Sequence, residues 1–143
     1  MTAVADNLAA AKARIAAACA RAGRDPRFVR IAAVSKTQPP DVVAAAVAAG
    51  ADAIGENRVQ EAAAKRPLVA GTIPWHLVGP LQRNKAKLAL GHFDVVETLD
   101  RPELADRLET LLGLVGRVLP VFIEINIGGE AQKSGIAPAA SGP

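Results

Sequence analysis

The order of strand-like and helix-like segments limits the folds open to this chain more than any other feature of its sequence. An Ala-rich helical segment at residues 3–22 is followed by five short apolar runs, which begin near residues 29, 52, 73, 93 and 117 and are separated by helical segments. Strands that alternate with helices in this way form a parallel sheet covered by helices. Right-handed crossovers then leave two main solutions, an open doubly wound sheet and a (β/α)8 TIM barrel. The first strand is followed by "SKTQPP", which contains no glycine and so disfavours a dinucleotide-binding loop.

Capping signals predict where several of the helices begin and end. Asn57, with Gln60 three residues later, has the spacing of a capping box. Asp100 and Glu103 have the same spacing at the start of the most regular helical segment. Gly91 is expected to close the helix between the third and fourth strands.

The length and composition fit one packed α/β domain. The chain has 143 residues, of which 50% are apolar, and this is enough for one core and too little for two. We expect an N-terminal helix within residues 1–24, βα units over residues 29–127 and a loop-like tail over residues 128–143.

Cysteine usage and hydropathy indicate a reducing, cytoplasmic compartment. Cys19 is the one cysteine of the sequence, so an intrachain disulfide and a multi-cysteine metal site are both excluded. Charged residues interrupt the N-terminal segment, and no apolar run reaches the ~18 residues that a membrane span needs. The histidines and the cysteine show no metal-ligand spacing, so no metal site is predicted.

The stretch "RIAAVSKTQPP" ends an apolar strand on a lysine, Lys36. Side chains alternate along a strand, so Ala32, Val34 and Lys36 share one face. Ligands of parallel α/β folds bind at the carboxyl ends of the strands, which predicts that Lys36 lies at the rim of a site and points inward. A lysine amine attacks an aldehyde only in its neutral form, and burial beside apolar neighbours favours that form. The alternative is an ordinary solvated charge at a strand end.

Five linked motifs make the chain resemble the pyridoxal phosphate homeostasis proteins over about residues 29–136. In chain order they are "AVSKTQP", "GENRVQEA", "WHLVGPLQRNKAK", "FDVVETLDRPELADRL" and "EINIGGEAQKSGI". The resemblance implies a fold similar to the N-terminal barrel of alanine racemase. It also implies that pyridoxal 5'-phosphate (PLP) is held as a Schiff base on Lys36, without catalytic turnover by the protein itself. Asn57, His76, Gly79 and Asn126 match rim positions around the cofactor. Apo forms of PLP enzymes are the implied recipients of the cofactor, and members of the family are expected to be monomers.

The chain departs from the family pattern in its length and at one basic position. It resembles the N-terminal part of the barrel, truncated after the fifth strand, without the later segments that hold the PLP phosphate in the family. We therefore expect weak PLP affinity, open edges at the first and fifth strands, and poor solubility or partial disorder at the C-terminal end. Arg83 stands where relatives often have a small polar residue.

Three other functions fit parts of the sequence. A PLP-dependent amino-acid racemase is disfavoured, because related racemases use a tyrosine base and this chain has no tyrosine. A basic nucleic-acid-binding module would rest on the net charge of +3 and on Arg83 and Lys87, with no interleaved aromatic residues for base stacking. A class I aldolase would place its Schiff-base lysine on a later strand.

Single residues also have simpler readings. Asn57 could serve only as a helix cap, and His76 could be a hydrogen-bonded core residue that shares a face with Val78, away from Trp75 and Leu77. Gly79 could simply shape a turn.

Overall fold

The computed structural model describes residues 3–138 and contains one sheet of parallel strands in that range. Each strand pairs with the next one along the chain, in the order β1-β2-β3-β4-β5. The strands are β1 (Ala32–Val34), β2 (Ala53–Glu56), β3 (Trp75–Leu77), β4 (Val95–Leu99) and β5 (Val121–Ile123). A doubly wound sheet reverses its strand order at a switch point, whereas a barrel sheet proceeds in sequence. The observed order therefore selects the barrel-type arrangement of the two that the sequence left open.

Helices connect successive strands, as the alternating pattern predicts. They are α1 (Ala3–Arg21), α2 (Pro40–Ala48), α3 (Val59–Lys65), α4 (Ala86–His92) and α5 (Pro102–Val115), with short 3-10 turns at Pro26–Phe28, Arg66–Leu68 and Arg83–Lys85. Cys19 is buried on α1, as expected of a small apolar residue. No helix among residues 3–138 is long and apolar enough to cross a membrane.

The core lies on one face of the sheet, between the strands and the helices. Side chains from alternate strand positions and from the facing helices form one buried cluster, which includes Val43, Ile54, Trp75, Leu77, Phe93, Val96, Leu104 and Leu108. Because side chains alternate along a strand, the intervening positions point to the opposite face. We call this opposite face, represented by Val34, Gly55, His76 and Val95, the inner face.

Three of the predicted helix boundaries are wrong. The N-cap position of α3 is Arg58, which makes no side-chain cap. Asn57 is therefore not the N-cap, and the predicted capping box with Gln60 does not form. α5 begins after Arg101, also without a side-chain cap, because Asp100 accepts a hydrogen bond from the Arg101 guanidinium instead. Gly91 lies within α4, which ends one residue later.

The two edges of the sheet are β1 and β5, as predicted. All three residues of β5 are exposed. Beyond it, Ile125 forms an isolated parallel bridge with Ile136, so the segment predicted to be loop-like makes one strand-type pairing. The predicted loop-like tail also includes residues 139–143, which lie outside the described residues.

Candidate functional site

Lys36 lies two residues after the end of β1, in a turn at the carboxyl end of the sheet. Its side chain is exposed, and its amine makes no hydrogen bond or ion pair within residues 3–138. Val34 is 51% exposed, so the burial that the sequence reasoning assumed around Lys36 is absent from this structure. The reason is the position of β1 at the sheet edge, where no further strand of the described chain covers it. What remains is a free amine at the carboxyl end of the sheet, and the inward orientation of Lys36 stays a prediction.

A row of residues across the first four strands forms the surface of the inner face beside Lys36. We call this surface the floor. Val34 is in register with Gly55, Gly55 with His76, and His76 with Val95. A Cβ atom on Gly55 would lie 3.1 Å from Val34 Cγ2 and 3.3 Å from Val78 Cγ1. Glycine therefore keeps the floor clear between the strand of Lys36 and the strand of His76.

Asn57 and Gly79 are brought together at the ends of β2 and β3. A Cβ atom on Gly79 would lie 2.8 Å from Asn57 Cα and would also collide with the Asn57 carbonyl. The Gly79 carbonyl accepts a hydrogen bond of 2.7 Å from the buried Thr98 hydroxyl. Gly79 is thus required by a close approach of two backbones, and this contact brings Asn57 beside the end of β3.

His76 is paired with a carboxylate from the neighbouring strand. Its Nδ1 lies 2.6 Å from Glu97 Oε1, and the two side chains are 19% and 33% exposed. Trp75 and Leu77 are in the core, so His76 faces the other way, as the alternation predicts. A carboxylate at Nδ1 favours the tautomer that has its proton on that nitrogen. Nε2 has no partner within the described residues and is available at the inner face.

Asn126 is separated from the other predicted site residues. It follows β5, at the sheet edge opposite to Lys36. Its side chain closes its own loop: Nδ2 donates to the Glu130 carbonyl at 2.9 Å, and Oδ1 accepts from the Glu130 N–H at 3.3 Å. The structure therefore groups Lys36, Asn57, His76 and Gly79 on the first three strands and leaves Asn126 apart.

A buried polar cluster that was not predicted from the sequence lies behind Lys36. Glu56 is fully buried, and its Oε1 accepts hydrogen bonds from Ser35 Oγ at 2.6 Å and Lys65 Nζ at 2.8 Å. Lys65 Nζ also donates to Glu61 Oε2 at 3.2 Å. The N–H of Thr37 donates to the same Glu61 oxygen and holds the pKa of that carboxyl below its usual range, an effect that Lys65 reinforces and partial burial opposes. A signal existed in the sequence, because Glu56 interrupts an apolar strand and Glu61 and Lys65 are four residues apart.

The basic run "RNKAK" is divided between two elements. Arg83 begins a 3-10 turn and Lys87 lies in α4, and both are exposed. Lys85 is half-buried and lines an open groove of about 740 Å³ beside Asn57, together with Arg58 and Arg101. The cationic groups nearest the predicted rim are therefore different from the pair that the sequence analysis singled out.

No group of three or more potential metal-ligating side chains occurs in the part of the chain that the structure describes.

Comparison with known proteins places this geometry in a family. The family model for "Alanine racemase, N-terminal domain" matches residues 6–142. The pyridoxal phosphate homeostasis protein of Pseudomonas aeruginosa is 42% identical over 139 residues, which are 96% of this chain and 60% of that protein.

Two solved structures are similar over most of the chain. A protein from Bifidobacterium adolescentis matches with a TM-score of 0.88 and 36% identity, over 95% of this chain and 60% of its own. PipY of Synechococcus elongatus, solved with PLP bound, matches with a TM-score of 0.76 and 36% identity, over 95% of this chain and 59% of its own. The chain thus spans about 60% of the length of the relatives that it matches. From the match over residues 6–142, we conclude that the chain belongs to the alanine racemase N-terminal domain family.

Proposed function

We propose that this chain binds PLP covalently through Lys36 and serves in PLP homeostasis without catalytic turnover of its own. The observation that carries the proposal is the unpaired Lys36 amine at the carboxyl end of β1 in a barrel-type sheet. The names of two similar proteins support it, since one is a PLP homeostasis protein and the other was solved with PLP.

The residues on the inner face fit the aldehyde end of PLP. PLP would supply an aldehyde, with which a neutral lysine amine could condense to a C=N bond with release of one water molecule. Three other lysines are engaged: Lys12 donates to the Gly50 carbonyl, Lys133 pairs with Glu130, and Lys65 is buried among carboxylates. Within the described residues, Lys36 has an unengaged amine, and it lies beyond the carboxyl end of β1, next to the row that contains Gly55 and His76.

The floor beside Lys36 suits a flat aromatic ring. Val34 and Val78 present apolar methyl groups on either side of Gly55, which has no side chain to obstruct them. His76 lies in the same register row as Gly55, with Glu97 holding its ring. In the proposal, these residues and Asn57 would hold the pyridine ring of PLP.

A carrier role is favoured over racemisation. The sequence contains no tyrosine, the residue that the related racemases use as a base. We include in the proposal that the recipients are apo forms of PLP enzymes, that the longer family members are monomers, and that the location is cytoplasmic. The free, buried Cys19 fits a reducing compartment.

The test is to trap the bound cofactor with borohydride and to locate the label by peptide mass spectrometry. We expect label on Lys36 in the parent chain and a visible absorbance band that is lost in Lys36→Ala. Lys87→Ala removes an exposed lysine on α4 and is the matched control, in which the band should persist. More label on another side chain than on Lys36, or equal PLP binding by Lys36→Ala, would refute the role of Lys36. Measurable alanine racemisation would refute the carrier role.

A further inference from the structure

The backbone on the N-terminal side of Lys36 is tied to a buried ion pair. The Ser35 carbonyl accepts a hydrogen bond of 2.8 Å from Lys65 Nζ, and the Ser35 hydroxyl donates to Glu56 Oε1 at 2.6 Å. Ser35, Glu56 and Lys65 are all buried. The other oxygen of Glu56 has no partner within the described residues, so Ser35 and Lys65 alone hold this carboxylate. The chain before Lys36 is therefore fixed by two hydrogen bonds from the cluster.

The backbone on the C-terminal side of Lys36 is tied to the same cluster. The Thr37 N–H donates to Glu61 Oε2 at 3.0 Å, and this oxygen also accepts from Lys65 Nζ. Thr37 has a φ of 62°, in the left-handed region that β-branched residues rarely adopt. Such a conformation is strained and persists only where surrounding contacts impose it. The Glu61 carboxylate supplies a contact that imposes it.

We propose that Ser35, Glu56, Glu61 and Lys65 form a positioning device that holds Lys36 over the inner face by fixing the peptides on both of its sides. The inference rests on the proposed function, because it concerns the geometry with which Lys36 meets an aldehyde. None of the four residues touches the cofactor in this scheme. Lys65 has its three N–H groups engaged by Ser35, Glu56 and Glu61, so the cluster also withholds a second amine from reaction.

A purely stabilising role explains the cluster less well. Burying two opposite charges costs desolvation energy that their attraction often only balances, and apolar replacements of such pairs are frequently as stable. A well-oriented reacting group, in contrast, gains strongly from fixed geometry, since small displacements reduce rates by large factors. The cluster converges on the two peptides that flank one exposed lysine, which is the arrangement that orientation requires.

The experiment compares Glu61→Ala with Glu61→Gln. Each protein is treated with PLP and borohydride, and peptide mass spectrometry gives the ratio of label on Lys36 to label on Lys85 and Lys87. We expect Glu61→Ala to lower this ratio about tenfold, because the Thr37 N–H loses its acceptor. Glu61→Gln retains an acceptor oxygen and should stay within about threefold of the parent. Glu109→Ala, on the exposed side of α5, is the control and should match the parent.

The ratio distinguishes positioning from stability because it is measured within one folded protein. A lower melting temperature for Glu61→Ala with an unchanged ratio would overturn the inference and leave the proposed function intact. Absence of label on Lys36 in the parent would refute the proposed function first. If Glu61→Ala does not fold by circular dichroism, Ser35→Ala replaces it, and an unchanged ratio in that variant also overturns the inference.

Discussion

At the scale of single residues, backbone contacts decide the shape of the rim more than side-chain identity does. Gly79 is buried against the Asn57 backbone, and its carbonyl is held by Thr98. Gly55, in register with His76, leaves space for the side chains of Val34 and Val78. The contacts that hold the backbone around Lys36 are made by the Ser35 carbonyl and the Thr37 N–H. The amine of Lys36 itself therefore stays free.

The close approach at Gly79 predicts a large effect from one methyl group. Gly79→Ala should lower the free energy of unfolding by about 2 kcal/mol, because a backbone has to move to relieve the overlap. Gly113→Ala is the control: nothing lies within 4 Å of a Cβ atom at this position in α5, and alanine there should raise stability by roughly 0.5–1 kcal/mol. Denaturant unfolding measures both. Equal stability of Gly79→Ala and the parent would show that the two backbones do not meet as described.

At the scale of elements, arginines from neighbouring segments complete the C-terminal end of α4. Arg66 donates to the His92 carbonyl at 2.8 Å, and Arg117 donates to the carbonyls of Leu90 and Phe93. The last carbonyls of a helix have no partner within it and carry partial negative charge, so guanidinium donors satisfy and stabilise them. α4 has seven residues and depends on such external contacts more than a long helix would.

Loss of one of these arginines should destabilise the packing of α4. Arg117→Ala removes the hydrogen bonds to the carbonyls of Leu90, which is half-buried, and Phe93, which is buried. It should lower the free energy of unfolding by roughly 1–3 kcal/mol. Arg117→Lys keeps the charge but loses the forked geometry, so an intermediate cost is expected. Arg24→Ala, an exposed position after α1, should change stability by less than about 0.5 kcal/mol. An Arg117→Ala protein as stable as Arg24→Ala would contradict this role.

At the scale of the whole molecule, the sheet has one strongly apolar edge. Phe122 is 61% exposed and Ile123 is 57% exposed, and β5 has no neighbouring strand on its outer side at Val121–Ile123 in the described chain. The bridge from Ile136 covers only the segment that follows. An exposed apolar edge with free backbone groups favours pairing with another chain.

We therefore expect the 143-residue chain to self-associate as its concentration rises. Sedimentation velocity over a concentration series should show association in the parent and reduced association in Phe122→Lys, because a charged side chain on the edge opposes pairing. Leu68→Lys, which replaces an equally exposed apolar residue distant in sequence from β5, is the control and should behave as the parent does. A parent that is monomeric at every concentration would contradict the expectation.

The helix and strand order was predictable because it depends on local patterning. Hydrophobic periodicity predicts the five apolar runs and the helical segments between them. This periodicity is a property of the sequence and does not depend on tertiary contacts. The helix caps at Asn57 and Asp100 were not predictable, because capping depends on the exact residue at which the backbone becomes helical. In the structure that residue lies one position later at each site, at Arg58 and Arg101.

The sequence by itself determined the alternating elements, the position of Lys36 at the end of the first strand, and the division of β3 between a core face and an inner face. The tertiary structure decided the sequential strand order, the exposure of Lys36, the contact between Asn57 and Gly79, and the isolation of Asn126. It also brought Glu56, Glu61 and Lys65 behind Lys36. These features join segments some 20 to 30 residues apart, such as Ser35 with Lys65. Local periodicity contains no information on such distances, which only the pairing of strands and the packing of helices fix.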